Sequence, residues 1–583
     1  MIKMNSQLSS KLRTLQEFYL TIYPKESQVF TTQNPSSLQV YYNTACHDLV
    51  TRTVSKTAAS LVSLCVLTGE YPIIRFYNPN EHDAYFNASI LPKMIANEFQ
   101  NKLDEYARNH SDFPPESPRQ RSIFVITDRT LDLFSPLLHE FTYQAMAYDL
   151  VNIDKSDVYK YQAENEKGEK ESKEAKLNDE DEDWCKLRHL HIIDAQTALT
   201  SRLEEFLSKN QMLVDRSNIK STSDILTAVA RLSGFDEERR RIILHKTLVE
   251  DLLLVNGEKK LTELADFEQD LANFGYNIDG ERVKNLAETL LNLLTKEYYG
   301  FEDKLRTIIL YGLYRGGLVE EDYIKLIQLI GVEGHYASDV LDFIKNFDQI
   351  GFKLIKQNLK SKSVFKREFL HDSVSEGSYS SSRFQPAINN VISRIISHTL
   401  DEELFVYVKD KPIDLDNDVT RTSSTSTSSL KNPRHKASWA RSNSNYQAPK
   451  QRIFYFISGG ATHSEMRTAY ELSLKFDKEV IIGSDEILTP NQFLTNVKNL
   501  SVSERRELNL FQDWKSRYSN QSAPKVLLET PKPKVINQTQ PQITPNPTSQ
   551  RPQQQHLNTR IEPSSSIDTK ESKRSRFKKF LKG

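Results

Sequence analysis

Apolar positions in the first 150 residues fall into short continuous runs separated by stretches with helical spacing. "YPIIRFY" (71–77) and "RSIFVITD" (121–128) are apolar at nearly every position, as strands covered on both faces are. Between them, "ILPKMIANEFQNKLDEYARN" (90–109) has the 3.6-residue period of an amphipathic helix. Upstream, "FYLTIYP" (18–24) reads as a strand after a short polar helix. Val50, Val54, Ala58, Leu61 and Leu64 or Cys65 mark one face of a helix that Gly69 stops. Ser135-Pro136 predicts a further helix start, with serine as N-cap and proline at the first helical position. This alternation predicts a parallel α/β layer.

From about residue 155 the pattern changes. "ENEKGEKESKEAKLNDEDED" (164–183) is acidic and free of aromatics, and reads as a solvated loop. Long helical patterns follow Trp184, among them "KLRTIILYGLY", which ends at Gly316-Gly317, and "VEEDYIKLIQLI" (319–330), whose first-turn acids suit the helix dipole. Residues 361–385 and the Ser/Thr-rich 421–447 read as loops. The α/β pattern then returns: "RIFYFISGG", a helix capped by Thr462, "KEVIIGS", and a helix with Thr489 as cap and Pro490 in its first turn. One sheet split by an insertion accounts for this order better than two sheets. The expected fold is therefore α/β plus α: a split parallel α/β domain interrupted by a long, mainly helical insertion. The expected divisions are 1–29, 30–155, 156–450, 451–515, and a Pro/Gln-rich linker with a basic tail over 516–583.

Composition narrows the function. The chain has 583 residues, a 38% hydrophobic share and a net charge of −1, so a global attraction to nucleic acid or membrane is excluded and any such attraction is local. Cys46, Cys65 and Cys185 are scattered without a C-x-x-C pair and read as reduced thiols of a cytosolic protein. No apolar run approaches the roughly 18 residues that span a bilayer, and the start carries no signal-peptide core.

The candidate chemistry is incomplete at each place it arises. "HEFTY" (139–143) has Tyr143 where a zinc-binding H-E-x-x-H helix needs its second histidine, and His189 and His191 lie two apart. "ISGGATHSE" (457–465) could cradle a phosphate with Asp485 behind it, yet Ala461 and Ser464 stand where a dinucleotide fingerprint has glycine. A tight strand-to-helix turn is the better reading. Asp128, Arg129 and Asp132 read as a structural charge cluster. No catalytic residue, metal or cofactor is expected; a nucleotide-binding α/β enzyme is the alternative.

Four stretches together resemble the Sec/Munc (SM) family of syntaxin-binding proteins: "DRTLDLFSPLLHEFTYQAMAYDL" (128–150), "NDEDEDWCKLRHLHI" (178–192), "DKLRTIILYGLYRGGLVEEDYIKLI" (303–327) and "FISGGATHSEMRTAYE" (456–471). The likeness runs in register from about 15 to 500. "SPLLHEFTYQAMAYDL" is most similar to the exocytic, plasma-membrane branch, and the extended basic tail to its fungal members. The resemblance implies an arch-shaped, non-enzymatic regulator of SNARE-mediated fusion, cytoplasmic and peripheral at the plasma membrane. Its implied partners are a plasma-membrane syntaxin and the assembled SNARE complex, with no nucleic acid.

Further expectations follow from the resemblance. A helical hairpin over about 320–360 engages SNARE helices, with Phe352, Lys353 and Leu354 at an exposed bend; neuronal members carry proline where Lys353 stands. The family has about another hundred residues ahead of "FYLTIYP", so residues 1–29 are expected to be a poorly packed remnant of a largely absent first domain, unable to bind a syntaxin N-terminal peptide. The tail, with Lys570, Lys573, Arg574, Arg576, Lys578, Lys579 and Lys582 against Glu571, is a candidate contact for anionic lipid or an acidic SNARE surface.

Overall fold

The computed structural model describes residues 20–79, 86–154, 156–164, 170–209, 222–357, 379–409, 411, 449–508 and 510. All but residue 510 lie in one compact unit, Met1–Leu508, and Asn509–Gly583 form a second. The first half of the α/β region contains β1 (Tyr23–Glu26), β2 (Val29–Thr31), α1 (Ser37–Tyr42), α2 (His47–Thr68), β3 (Ile73–Tyr77), α3 (Phe86–Asn109), β4 (Ile123–Asp128) and α4 (Tyr143–Leu150). As the sequence predicts, Gly69 ends α2 in the left-handed region, at φ +67°.

The insertion begins with β5 (Val158–Glu164) and β6 (Lys170–Lys176). Helices α5 (Glu182–Leu187), α6 (Ile192–Lys209), α7 (Thr222–Lys259), α8 (Leu261–Ala272), α9 (Leu286–Thr295) and α10 (Phe301–Arg315) follow. Then come β7 (Leu318–Val319), α11 (Glu320–Leu329), α12 (His335–Lys345), β8 (Ile355–Lys356), α13 (Ala387–Ile396) and β9 (Phe405–Tyr407). The α/β region resumes with β10 (Arg452–Ser458), β11 (Ala461–Thr462), α14 (His463–Phe476), β12 (Glu479–Ser484), β13 (Ile487–Leu488) and α15 (Pro490–Lys498).

The main sheet has seven strands in the order β1-β2-β12-β10-β4-β3-β9. β10 lies between β4 and β12 and is parallel to both: Ile453 is opposite Ile123 on one side and Val480 on the other. The split sheet inferred from the apolar runs is therefore a single sheet, closed across the insertion. Phe124 and Phe454 stack at its centre with ring centroids 5.3 Å apart, both fully buried. Helices α14 and α15 begin where expected, with capping boxes at Thr462/Glu465 and Thr489/Gln492.

Several local expectations are corrected. The first strand starts at Tyr23, not Phe18, and it pairs antiparallel with β2, which joins β12 in parallel. Residues 23–31 are thus the edge of the main sheet rather than an unpaired remnant, with Glu26, Val29 and Phe30 buried; residues 1–19 lie outside the described ones. Ser135-Pro136 forms a turn, because the Asp132 carboxylate takes the N–H groups of Phe134 and Ser135; the helix begins only at Tyr143.

Within the acidic run 164–183, read as a loop, Lys170–Lys176 is instead β6, paired with β5, and Asp181 caps α5 by accepting from the Asp183 and Trp184 N–H groups; residues 165–169 lie outside the described ones. The apolar signal lies just upstream of the run, where Tyr159 and Tyr161 stack on one face at 5.8 Å while Lys160 pairs with Glu174 at 2.7 Å on the other. Ser381, Arg383 and Phe384, at the end of the expected loop 361–385, are buried. The insertion also supplies β9, antiparallel to β3 at the sheet edge. The Ser/Thr-rich stretch 421–447 lies outside the described residues.

Candidate partner-binding surface

Open α/β sheets bind ligands at the carboxyl ends of their strands. In this protein those ends are occupied by internal contacts. Arg129, 1% exposed, donates to Glu465 at 2.8 and 2.7 Å and to the carbonyls of Asp132 and Gly460. Burial works against its charge, but the Glu465 carboxylate outweighs it and holds the Arg129 pKa above the usual value. Asp132 accepts from the backbone of Phe134, Ser135 and Ala387. Asp485 accepts from the Gly459 N–H at 3.0 Å and the Thr32 hydroxyl at 2.9 Å.

The glycine pair makes a packing turn. Gly460 sits at φ +110°, and a Cβ there would stand 2.4 Å from Leu488 Cδ1. The close approach is to a side chain of the protein, as expected of a tight strand-to-helix connection.

His139, singled out by the near-match to a zinc motif, is buried in a charge network that joins the sheet to the insertion. Its Nδ1 lies 2.9 Å from Glu268 Oε2 and its Nε2 3.4 Å from Asp303, while Arg306 pairs with Asp149 at 2.9 Å. Burial and Arg306 both push the imidazole pKa down. The Glu268 and Asp303 carboxylates outweigh them and hold it up at about 9. His189 and His191 do not join it: burial lowers them to about 3 and about 4, and His189 lies tilted against Tyr470 while His191 stacks on Tyr379. Among the described residues no group of three or more His, Cys, Asp or Glu could hold a metal ion.

The raised pKa carries a pH prediction. A histidine held above its unfolded value of roughly 6.5 contributes stability that is fully present below that pH and is lost as pH rises through about 9. Stability to urea is therefore expected to fall from about pH 7 to 9.5 by on the order of 3 kcal/mol more in the wild type than in His139→Gln. Parallel pH profiles for the two proteins would contradict it.

In the stretch of about 320–360 expected to be a hairpin, α11 and α12 are followed by a 3₁₀ turn, Asn346–Ile350, and residues 358–360 lie outside the described ones. Its base is closed: Leu318 N–H donates to the Leu354 carbonyl at 2.8 Å, and β7 pairs with β8 in parallel. Gly317, at φ +96°, fits there because a Cβ would meet the Lys353 and Leu354 carbonyl oxygens at 2.8 Å. Tyr323 packs over Gly312 of α10, where a Cβ would meet its hydroxyl at 2.1 Å; this accounts for a glycine inside "LYGLY".

The bend is not the exposed apolar contact that was expected. Phe352 is 4% exposed and Leu354 is fully buried, whereas Lys353 faces solvent. Phe352 and Leu354 turn inward, Leu354 towards Gly312 of α10, and the lysine faces out. The exposed residues of α11 are Glu320, Glu321, Lys325, Gln328 and Leu329, the last 38% exposed. The tail cations Lys573, Arg574, Arg576, Lys578, Lys579 and Lys582 lie outside the described residues. Sequence reasoning passed over Asn346, which is buried; an asparagine between Lys345 and Phe347 in "FIKNFDQI" was the available signal.

Comparison with known proteins places this geometry in context. The model of the Sec1 family matches residues 2–496. The chain is 44% identical to Protein transport protein SEC1 of Saccharomyces cerevisiae, over 99% of this chain and 82% of that protein. It is 30% identical to Protein transport protein sec1 of Schizosaccharomyces pombe, over 99% and 79% respectively. Among solved structures, the Unc18–syntaxin 1 complex from Monosiga brevicollis shares the fold, with a TM-score of 0.66 at 24% identity, covering 85% of this chain and 81% of that one.

Proposed function

This chain belongs to the Sec1 family, and from that premise we propose that it is a non-enzymatic protein-transport factor. It binds a syntaxin-type SNARE and the assembled SNARE complex, and promotes vesicle docking and fusion at the plasma membrane in exocytosis. The observation that carries this reading is the 44% identity to a yeast protein-transport protein along 99% of the chain. The internal commitment of Arg129, Asp132, Glu465 and Asp485 supports the non-enzymatic part, since these four groups are already bonded within the protein.

The hairpin is the proposed SNARE-engaging element. Lys353 and the exposed face of α11 present the contact, and Phe352 and Leu354 hold that face in shape from within. The basic tail adds a contact with anionic lipid, at about 1 kcal/mol per basic residue near a charged surface.

Two assays test the reading together. The cytosolic domain of a plasma-membrane syntaxin should co-purify with the chain, and ATP, GTP or NAD should leave its melting temperature unchanged. A nucleotide-dependent rise without syntaxin binding would favour the enzyme alternative.

A further inference from the structure

The amino ends of the central strands gather basic residues. β4, β10 and β12 lie side by side and parallel, with Ile453 opposite both Ile123 and Val480. The segments that lead into these strands therefore meet at one end of the sheet, away from the strand ends that carry Arg129 and Asp485. Arg119 comes shortly before β4, Lys450 shortly before β10, and Lys478 directly before β12. These three side chains line a surface cavity of about 290 Å³, whose lining also includes Ser473, Leu474 and Glu479.

The lining thus sets three cations against one carboxylate, in a chain whose net charge is −1. Glu479 is engaged by Arg119 at 2.7 Å and by Arg452 at 2.9 Å. Lys478 donates to the Gln451 side chain at 3.1 Å, a neutral partner. Lys450 pairs with Asp477 at 2.7 Å, but the two are 50% and 82% exposed, and a pair in solvent is held weakly enough to exchange partners. Beside the cations stands an apolar group. Leu474, in the last turn of α14, is 85% exposed, against 64% for Leu20, the next most exposed large apolar side chain among the described residues. Lys475 follows it, with its ammonium 5.2 Å from the centre of the Phe476 ring.

An exposed leucine alone is ordinary. A leucine standing free beside a cationic cavity has two chemistries, and one ligand class meets both. Phosphate groups satisfy lysines at a charged membrane surface, and the adjoining acyl region accepts an apolar side chain. An acidic peptide would satisfy the cations and leave Leu474 in water. Three cations brought in by three separate segments suit a headgroup with more than one phosphate. We propose that this cavity binds the phosphorylated headgroup of a phosphoinositide lipid, with Leu474 entering the membrane interface beside it. The site is separate from the tail contact and does not depend on the transport reading.

Co-sedimentation of the full chain with phosphatidylcholine vesicles, with and without phosphatidylinositol bisphosphate, tests this. Each basic residue near such a surface changes partition about fivefold, so Lys450→Glu combined with Lys478→Glu should lower binding by on the order of 20-fold or more. Leu474→Ser should lower it roughly fivefold. Both variants leave the tail cations in place, and as surface changes both should keep the wild-type melting temperature and syntaxin binding. If the double variant fails to fold, Lys450→Glu alone and Leu474→Ser decide. Wild-type vesicle binding by the variants would assign the lipid contact to the tail and overturn the proposal. So would soluble inositol trisphosphate binding as tightly as the vesicles, with Leu474→Ser unaffected, which would make the cavity a site for a free phosphate compound. Displacement of the vesicles by a polyglutamate peptide as effectively as by inositol trisphosphate would also overturn it, in favour of an acidic protein surface. Each of these failures leaves the transport reading standing, since syntaxin binding is read separately.

Discussion

Arg129→Leu is expected to lower the stability of the α/β unit by about 3–5 kcal/mol. Glu465 is 2% exposed, and without the guanidinium it is a buried carboxylate that keeps only the Thr462 backbone and hydroxyl as donors. The carbonyls of Asp132 and Gly460 lose a donor as well. The pair also spans the join of the split sheet, since Arg129 follows β4 and Glu465 opens the helix after β10. Breaking it loosens the contact that closes the sheet across the insertion. Arg129→Leu combined with Glu465→Leu should recover a large part of the loss, because removing both partners leaves no uncompensated charge. Urea and thermal unfolding of the single and double variants measure this. A single-variant loss below about 1 kcal/mol would mean that the pair is solvated and not buried.

The second large effect separates the two kinds of residue at the hairpin bend. Leu354→Asp places a carboxylate in a fully buried position beside the closed β7–β8 base, and is expected to cost on the order of 4 kcal/mol. Lys353→Glu changes an exposed side chain and is expected to alter stability by no more than about 0.5 kcal/mol, while weakening binding of an acidic SNARE face. Thermal unfolding of both, read beside syntaxin binding, distinguishes a structural residue from a contact residue. Equal melting temperatures for the two variants would contradict the burial of Leu354.

Where periodicity was strong, the sequence was legible. The buried runs 71–77, 121–128, 452–458 and 479–484 were readable as strands of one sheet because a strand covered on both faces has no polar alternation. Caps at Thr462 and Thr489 were readable because a short acceptor followed by Glu or Gln at the third position has one common use. β6 was missed because its outward side chains are Lys and Glu, so composition hid a period of two whose apolar half sits on β5. The start of α4 was misplaced because the Asp132 carboxylate competes for the N–H groups that a cap at Ser135 would have left to the helix. The bend at 352–354 was misread because its backbone is tied at Leu354 to Leu318, more than thirty positions away, and no local pattern carries that contact. Asn346 was invisible for the same reason: its side-chain amide donates to the Val497 and Lys498 carbonyls and the Ser501 hydroxyl, about 150 residues further along the chain.

The central claim is that this Sec1-family chain acts by holding a SNARE, and one measurement addresses it most directly. The purified full-length chain is titrated, by isothermal calorimetry, with the cytosolic domain of a plasma-membrane syntaxin from the same organism. The account predicts a saturable one-to-one complex, weakened by Lys353→Glu while that variant keeps its fold. A flat titration with a folded chain, at concentrations where a dissociation constant of about 10 μM would register, would contradict it.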